Sequence, residues 1–170
     1  MAVDDDDLDE DDLLRRDMAR EVEEAFADVP YPGDDKLFPT PDIYPAVYMV
    51  ETFRGKHWRD VTPAMVRNHE FELNALSPEA FRFYLPCFMI PVLLDDDALD
   101  HLWMTLFSNL APGRHDPDFL NELVSLLDAR QKAIVRRYVE LYVQTEGSDH
   151  DPRNQEALAF WRRITEPASA

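Results

Sequence analysis

The stretch Leu76 to Leu94, LSPEAFRFYLPCFMIPVLL, constrains the fold of this chain more than any other. Ser77 is a good N-cap residue, Pro78 suits the first helical position where no amide hydrogen is missed, and Glu79 places negative charge at the positive end of the helix dipole. These signals predict a helix from Pro78 onward. Between Ala80 and Leu94 only Arg82 is charged, and apolar side chains fall on every face, the pattern of a helix enclosed by others. Pro86 and Pro91 each remove an amide donor and crowd the preceding turn. A kink or a break is therefore expected, with the break near Pro86 and the carbonyls of Arg82 and Cys87 freed. The uncharged run from Phe83 to Leu94 falls well short of the roughly 20 residues that span a bilayer, so it reads as a core segment.

Around this centre the chain is long enough, at 170 residues, for one domain with a real core, and 45% hydrophobic content supplies the material. Only 4 glycines argue against a fold of many tight β-turns. The expected class is all-α: a single compact domain, residues 13–166, of about six to eight short helices, preceded by an acidic and disordered arm at residues 1–12. That arm follows from eight acids and no base in Met1 to Asp12, with little to fold around. The single cysteine, Cys87, lies in the most apolar stretch, so neither a disulfide framework nor a cysteine-rich zinc site is expected, and it reads as an inert core residue. With no basic start and apolar run at the N-terminus, a cytoplasmic protein is the expectation.

Helical stripes recur along the rest of the chain. Leu14, Met18, Val22, Ala25, Phe26 and Val29 mark a first amphipathic helix, closed by Pro30. Five prolines between Pro30 and Pro45 impose an extended connection, which Leu37, Phe38, Ile43 and Tyr44 are expected to pin to the core. Pro45 then opens a short helix with Val47, Val50 and Phe53 inward, and Thr62-Pro63 starts another through Met65, Val66, His69 and Leu73. The acids Asp95, Asp96 and Asp97 begin a helix carrying Leu99, Leu102, Trp103, Leu106 and Phe107. A further short stripe holds Phe119, Leu120, Leu123 and Val124. Asp128 and Gln131 have capping-box spacing ahead of Ile134, Val135, Tyr138, Leu141 and Tyr142. Gln155 to Ile164 gives a last helix with Leu158 and Trp161 inward.

The charge excludes more than it identifies. With 35 acids against 17 bases the formal net charge is -18, which disfavours nucleic acid and anionic membranes as partners. No phosphate-cradling glycine loop, nucleophile elbow or His-Glu-x-x-His pair is present, and no cofactor, catalytic residue or metal site is assigned. Of the histidines, Asp97 and His101 have the spacing of a helix-start pair, Asp149, His150 and Asp151 read as turn formers, and His69 as a hydrogen-bonded core residue. One cluster stands against the acidity: Arg54, Lys56, His57 and Arg59 around Trp58. Either these residues bind an anion, with Trp58 beneath a flat ligand, or the bases pair with the chain's own carboxylates while Trp58 anchors the loop. The acid excess favours the internal clamp.

FRGKHW followed by DVTP (Phe53 to Pro63), together with LSPEAFRFYLP (Leu76 to Pro86), resembles a bacterial family catalogued as domain of unknown function 6714. VEEAFADVPYPGDD, LDARQKAIVRRYVELY and ALAFW are also similar to it, so the resemblance covers most of the chain from Val22 to Trp161. It implies no activity, cofactor or catalytic residue.

The expected function is therefore non-enzymatic binding toward a basic protein, as in an inhibitor or immunity-type protein that masks a cationic toxin or nuclease. Two alternatives stay open: an enzyme or ligand-binding protein with its anion site at Arg54, Lys56, His57 and Arg59, and acidity that serves only salt adaptation.

Overall fold

A computed structural model describes residues 9–94, 100–113, 116–146 and 148–166. Among them are eight α-helices and no strand. They are α1 (Glu10–Ala25), α2 (Ala46–Phe53), α3 (Pro63–Arg67), α4 (Pro78–Leu94), α5 (Asp100–Leu110), α6 (Pro117–Leu126), α7 (Ala129–Thr145) and α8 (Pro152–Thr165). The chain is all-α, as its periodicity predicts. Met1 to Leu8 of the acidic arm, Asp95 to Leu99, and His115 lie outside the described residues.

Helix α4 is the centre. It packs against α1, α3, α5 and α6, while α7 packs against α8, α1 and α5, so α1 and α5 touch both hubs. Burial falls on every side of α4: Phe81, Tyr84, Leu85, Phe88 and Met89 are all fully enclosed. Its start is the one its sequence specifies. The Ser77 hydroxyl accepts from the Ala80 amide at 3.1 Å and donates to the Lys36 carbonyl at 2.6 Å, so the cap also ties the proline-rich connection to the helix.

The expected break near Pro86 does not occur: α4 is one continuous helix through both prolines. Each internal proline costs about 3 kcal/mol in an isolated helix. Enclosing a large apolar side chain returns roughly 1.5–3 kcal/mol, and α4 encloses many of them, so packing outweighs the local penalty.

Other boundaries shifted for identifiable reasons. Helix α1 begins at Glu10, inside the acidic segment, because Asp9 caps it by accepting from the Asp12 amide at 2.9 Å and the next three acids lie at the positive end of the dipole. In α2 the buried residues are Ala46, Met49 and Phe53, whereas Val47 is exposed. The helix is apolar on two sides, and Phe53, packed edge-on to Tyr84 and Phe88, sets its rotation. Helix α3 stops at Arg67, so His69 sits in a turn and Leu73 in the 3-10 turn Leu73–Ala75. In the proline-rich connection Leu37 and Phe38 are pinned, but Ile43 and Tyr44 are not: they are 49% and 72% exposed. Helix α8 starts earlier than expected, at Pro152, with Asp151 as its cap.

Candidate functional site

The loop from Arg54 to Asp60 is held by two tyrosines, Tyr31 and Tyr84. Gly55, at φ 69°, turns the chain out of α2 in a conformation glycine adopts without strain. Its amide donates to the Tyr31 hydroxyl at 2.9 Å, and that hydroxyl donates to Asp34 at 2.6 Å. From below, the Tyr84 hydroxyl of α4 shares its proton between the carbonyls of Phe53 (2.5 Å) and Lys56 (2.8 Å). Burial pushes the Tyr84 phenol far above its ordinary range, so it stays a neutral donor.

On this frame the five residues singled out from the sequence take separate roles. Trp58 is buried, at 4% exposure, in the 3-10 turn Trp58–Asp60. Among the described residues its indole N–H meets no acceptor. The Arg59 guanidinium lies 4.2 Å over the Trp58 ring and reaches Glu23 of α1 at 3.4 Å. Lys56 instead donates to the Glu51 carbonyl at the end of α2. His57 accepts the Arg59 amide on Nδ1 at 3.1 Å and sets its ring edge-on to Phe83. Arg54 is exposed. Two of the three cationic heads thus point to different elements, which is the chemistry of a loop fastened to α1 and α2.

The remaining candidates are structural. Cys87 is buried, its thiol donates to the Tyr84 carbonyl, and desolvation pushes its pKa well above the usual thiol value. His69 joins α2 to the turn after α3, through Thr52 at 2.9 Å and Glu72 at 3.4 Å. His101 pairs with Glu70 at 3.3 Å; Asp97, its expected neighbour, lies outside the described residues. His150 is almost fully exposed beside Asp149. Among the described residues no group of three or more His, Cys, Asp or Glu is placed to hold a metal ion.

A second region was not anticipated. Tyr44, Tyr48 and Phe71 are 72%, 64% and 61% exposed, with Ile43 and Val47 also open to solvent. Tyr44 and Tyr48 pack edge-to-face with ring centroids 5.2 Å apart. The Glu72 carboxylate raises the pKa of the Tyr44 phenol, by its charge first and by hydrogen bonding second. Phe71 packs 4.9 Å from the His101 ring. The Thr52–His69 bond ties α2 to the turn at 68–72, so these exposed rings flank one junction. Residues 37–53 and 68–76 contain Asp42, Glu51, Glu70 and Glu72 but neither lysine nor arginine. The signal for it in the sequence is that absence of lysine and arginine, together with two tyrosines four apart, Tyr44 just before α2 and Tyr48 on it.

Residues 14–165 match the family described as Family of unknown function (DUF6714). The chain belongs to that family. The matched span takes in all eight helices apart from the first residues of α1, and so includes both the basic loop and the aromatic face. No curated protein and no solved structure shows a significant match.

Proposed function

We propose that this DUF6714 protein acts by binding rather than catalysis, as the acidic member of a complex with a basic protein. The observation that carries this reading is how its charges are sorted. Many of its bases are occupied within the chain: Arg130 with Glu24, Arg137 with Glu21, Arg59 with Glu23, and Arg136 and Arg162 with Glu140. The surplus acid is thereby left to other surfaces, among them the face formed by α2 and the turn after α3, where residues 37–53 and 68–76 hold neither lysine nor arginine. A potential of one sign steers a cationic partner and speeds its encounter. An inhibitor or immunity-type role toward a cationic enzyme fits that chemistry. The cytoplasmic setting expected from the sequence belongs to the same proposal.

The test is affinity capture on the immobilised chain at low salt. Basic proteins are expected to be retained and to elute as ionic strength passes about 0.15 M, where surface charges are screened within about 8 Å. Capture of no basic protein removes the reading. If instead folding stability climbs steeply toward molar salt, the acidity serves salt adaptation.

A further inference from the structure

The loop around Trp58 shows what this chain does with an aromatic ring and a carboxylate when an arginine is at hand. Arg59 lies flat over Trp58, 4.2 Å from the ring centre, with Glu23 3.4 Å from its Nε. Ring, guanidinium and carboxylate form a complete set over a buried Trp58.

Beside α2, rings and a carboxylate come together without lysine or arginine, Glu72 being paired instead with His69 Nδ1 at 3.4 Å. The Tyr44 and Tyr48 rings stand open beside one another, the Glu72 charge raises the pKa of the Tyr44 phenol, and Phe71 is exposed next to Glu72 in the chain. The nearest bases in the sequence are at the margins: Arg54 and Lys56 follow α2, with Lys56 turned to the Glu51 carbonyl, and Arg67 closes α3. Exposed clusters of large aromatic side chains are uncommon on a solitary soluble chain and common at the centres of interfaces. Charge decides the occupant. A second copy of this chain related by a two-fold axis would bring Asp42 and Glu72 against the same acids, with no lysine or arginine from residues 37–53 or 68–76 to offset them.

We propose that the face of Tyr44, Tyr48, Phe71 and Glu72 is the docking surface for the partner, and that it takes an arginine-rich segment. Arginine is preferred over lysine there because a planar guanidinium can stack on a phenol ring while forking onto a carboxylate, whereas an ammonium is a strongly hydrated point charge. This inference rests on the reading of the chain as an acidic binding protein and names the surface and the chemistry of the contact.

The experiment titrates fluorescently labelled deca-arginine and deca-lysine with the full chain and follows anisotropy. Three proteins are compared: the natural sequence, the triple variant Tyr44→Ser/Tyr48→Ser/Phe71→Ser, and the control Leu13→Ser/Leu14→Ser, which removes exposed apolar side chains from α1. All three are checked for an unchanged melting temperature. The natural chain and the control are expected to bind deca-arginine about tenfold more tightly than deca-lysine. The triple variant is expected to lose that preference and at least about tenfold in affinity, from about 0.5–1 kcal/mol for each exposed cation–π contact. Tyr44→Phe/Tyr48→Phe, which keeps the rings, is expected to retain the preference even if the triple variant folds poorly. Binding of both peptides equally, undiminished in the triple variant, overturns the docking surface and leaves the acidic-partner reading standing. Binding of neither peptide ends both. Sedimentation showing a dimer that the triple variant dissolves assigns the face to a second copy and overturns the proposal.

Discussion

The seam where α1 meets α7 and the face of α2 are built from the same kinds of residue and end in opposite states. At the seam, Glu21 and Glu24 of α1 meet Arg137 and Arg130 of α7, and Gln131 of α7 reaches back to the Ala25 carbonyl at 2.9 Å. Acids find bases and polar groups find partners inside the chain. Beside α2, Glu70 and Glu72 pair with the histidines His101 and His69, and neither lysine nor arginine occurs in the segments that build the face. The difference separates what folding requires from what folding leaves over. A polar group that is paired within the chain has been used by the fold, and an exposed aromatic beside an acid has not.

The seam can be broken most severely at Gln131, which is 1% exposed. Its side-chain oxygen accepts from the Asp128 amide and from Arg82 Nε of α4, both at 3.2 Å, while its amide nitrogen serves α1. One side chain therefore joins three helices. Gln131→Leu keeps the size and removes every one of these bonds, leaving half-buried groups of α1 and α4 without these partners, at about 1–3 kcal/mol each at most. A loss of about 3 kcal/mol is expected in urea denaturation. A loss below about 0.5 kcal/mol, the range of ordinary surface changes, would show that the seam is no more demanding than the open face.

Next in size is Tyr84→Phe, which strips the donor shared by the Phe53 and Lys56 carbonyls. About 1–2 kcal/mol is expected at neutral pH, with the basic loop loosened. The variant also tests a pH dependence. Burial raises the Tyr84 pKa above the ordinary 10.0. Above pH 10 the unfolded chain releases this proton while the folded chain keeps it, so the unfolded state binds fewer protons and stability falls as pH rises. The contribution is complete below pH 10 and is lost above it. Burial raises Tyr138 in the same direction, so Tyr84→Phe should make the alkaline decline shallower without abolishing it. An identical alkaline limb in both proteins would mean that Tyr84 does not keep its proton in the fold.

The seam and the core were largely legible in the sequence, because the signals that build them are local. Ser77-Pro78, Thr62-Pro63 and the Asp128–Gln131 box each act within a few residues, and each caps the helix it was expected to cap. What depended on distant packing was not legible. The rotation of α2 turns on Phe53 meeting Tyr84 and Phe88, the length of α3 on where His69 and Leu73 are needed, and the continuity of α4 on the helices around it. The role of Gln131 as a junction of three helices could not be seen in a capping motif. The same limit hid the aromatic face: Ile43 and Tyr44 read as pins for a proline-rich segment, and only the packing shows that Leu37 and Phe38 suffice. The basic loop was the reverse case. Its residues were visible as a charge anomaly, while the targets of Lys56 and Arg59 lie on α2 and α1.

That loop supplies the smallest expected effect and the sharpest boundary of the comparison. It has the composition of an anion site and the contacts of the seam: Arg59 is taken up by Trp58 and Glu23, and Lys56 by the Glu51 carbonyl. Arg54 is exposed and has no such internal contact among the described residues. An anion at 100 times its dissociation constant adds about 2.7 kcal/mol to the folded state, which a thermal melt resolves easily. With inorganic phosphate titrated against a chloride control of equal ionic strength, no specific rise in melting temperature is expected. A rise that saturates, and that Arg54→Ala abolishes, would place the loop with the open surfaces. It would also mean that Arg59 and Lys56 can leave their internal partners, because a single exposed guanidinium in a chain of net charge -18 holds an anion too weakly to be seen.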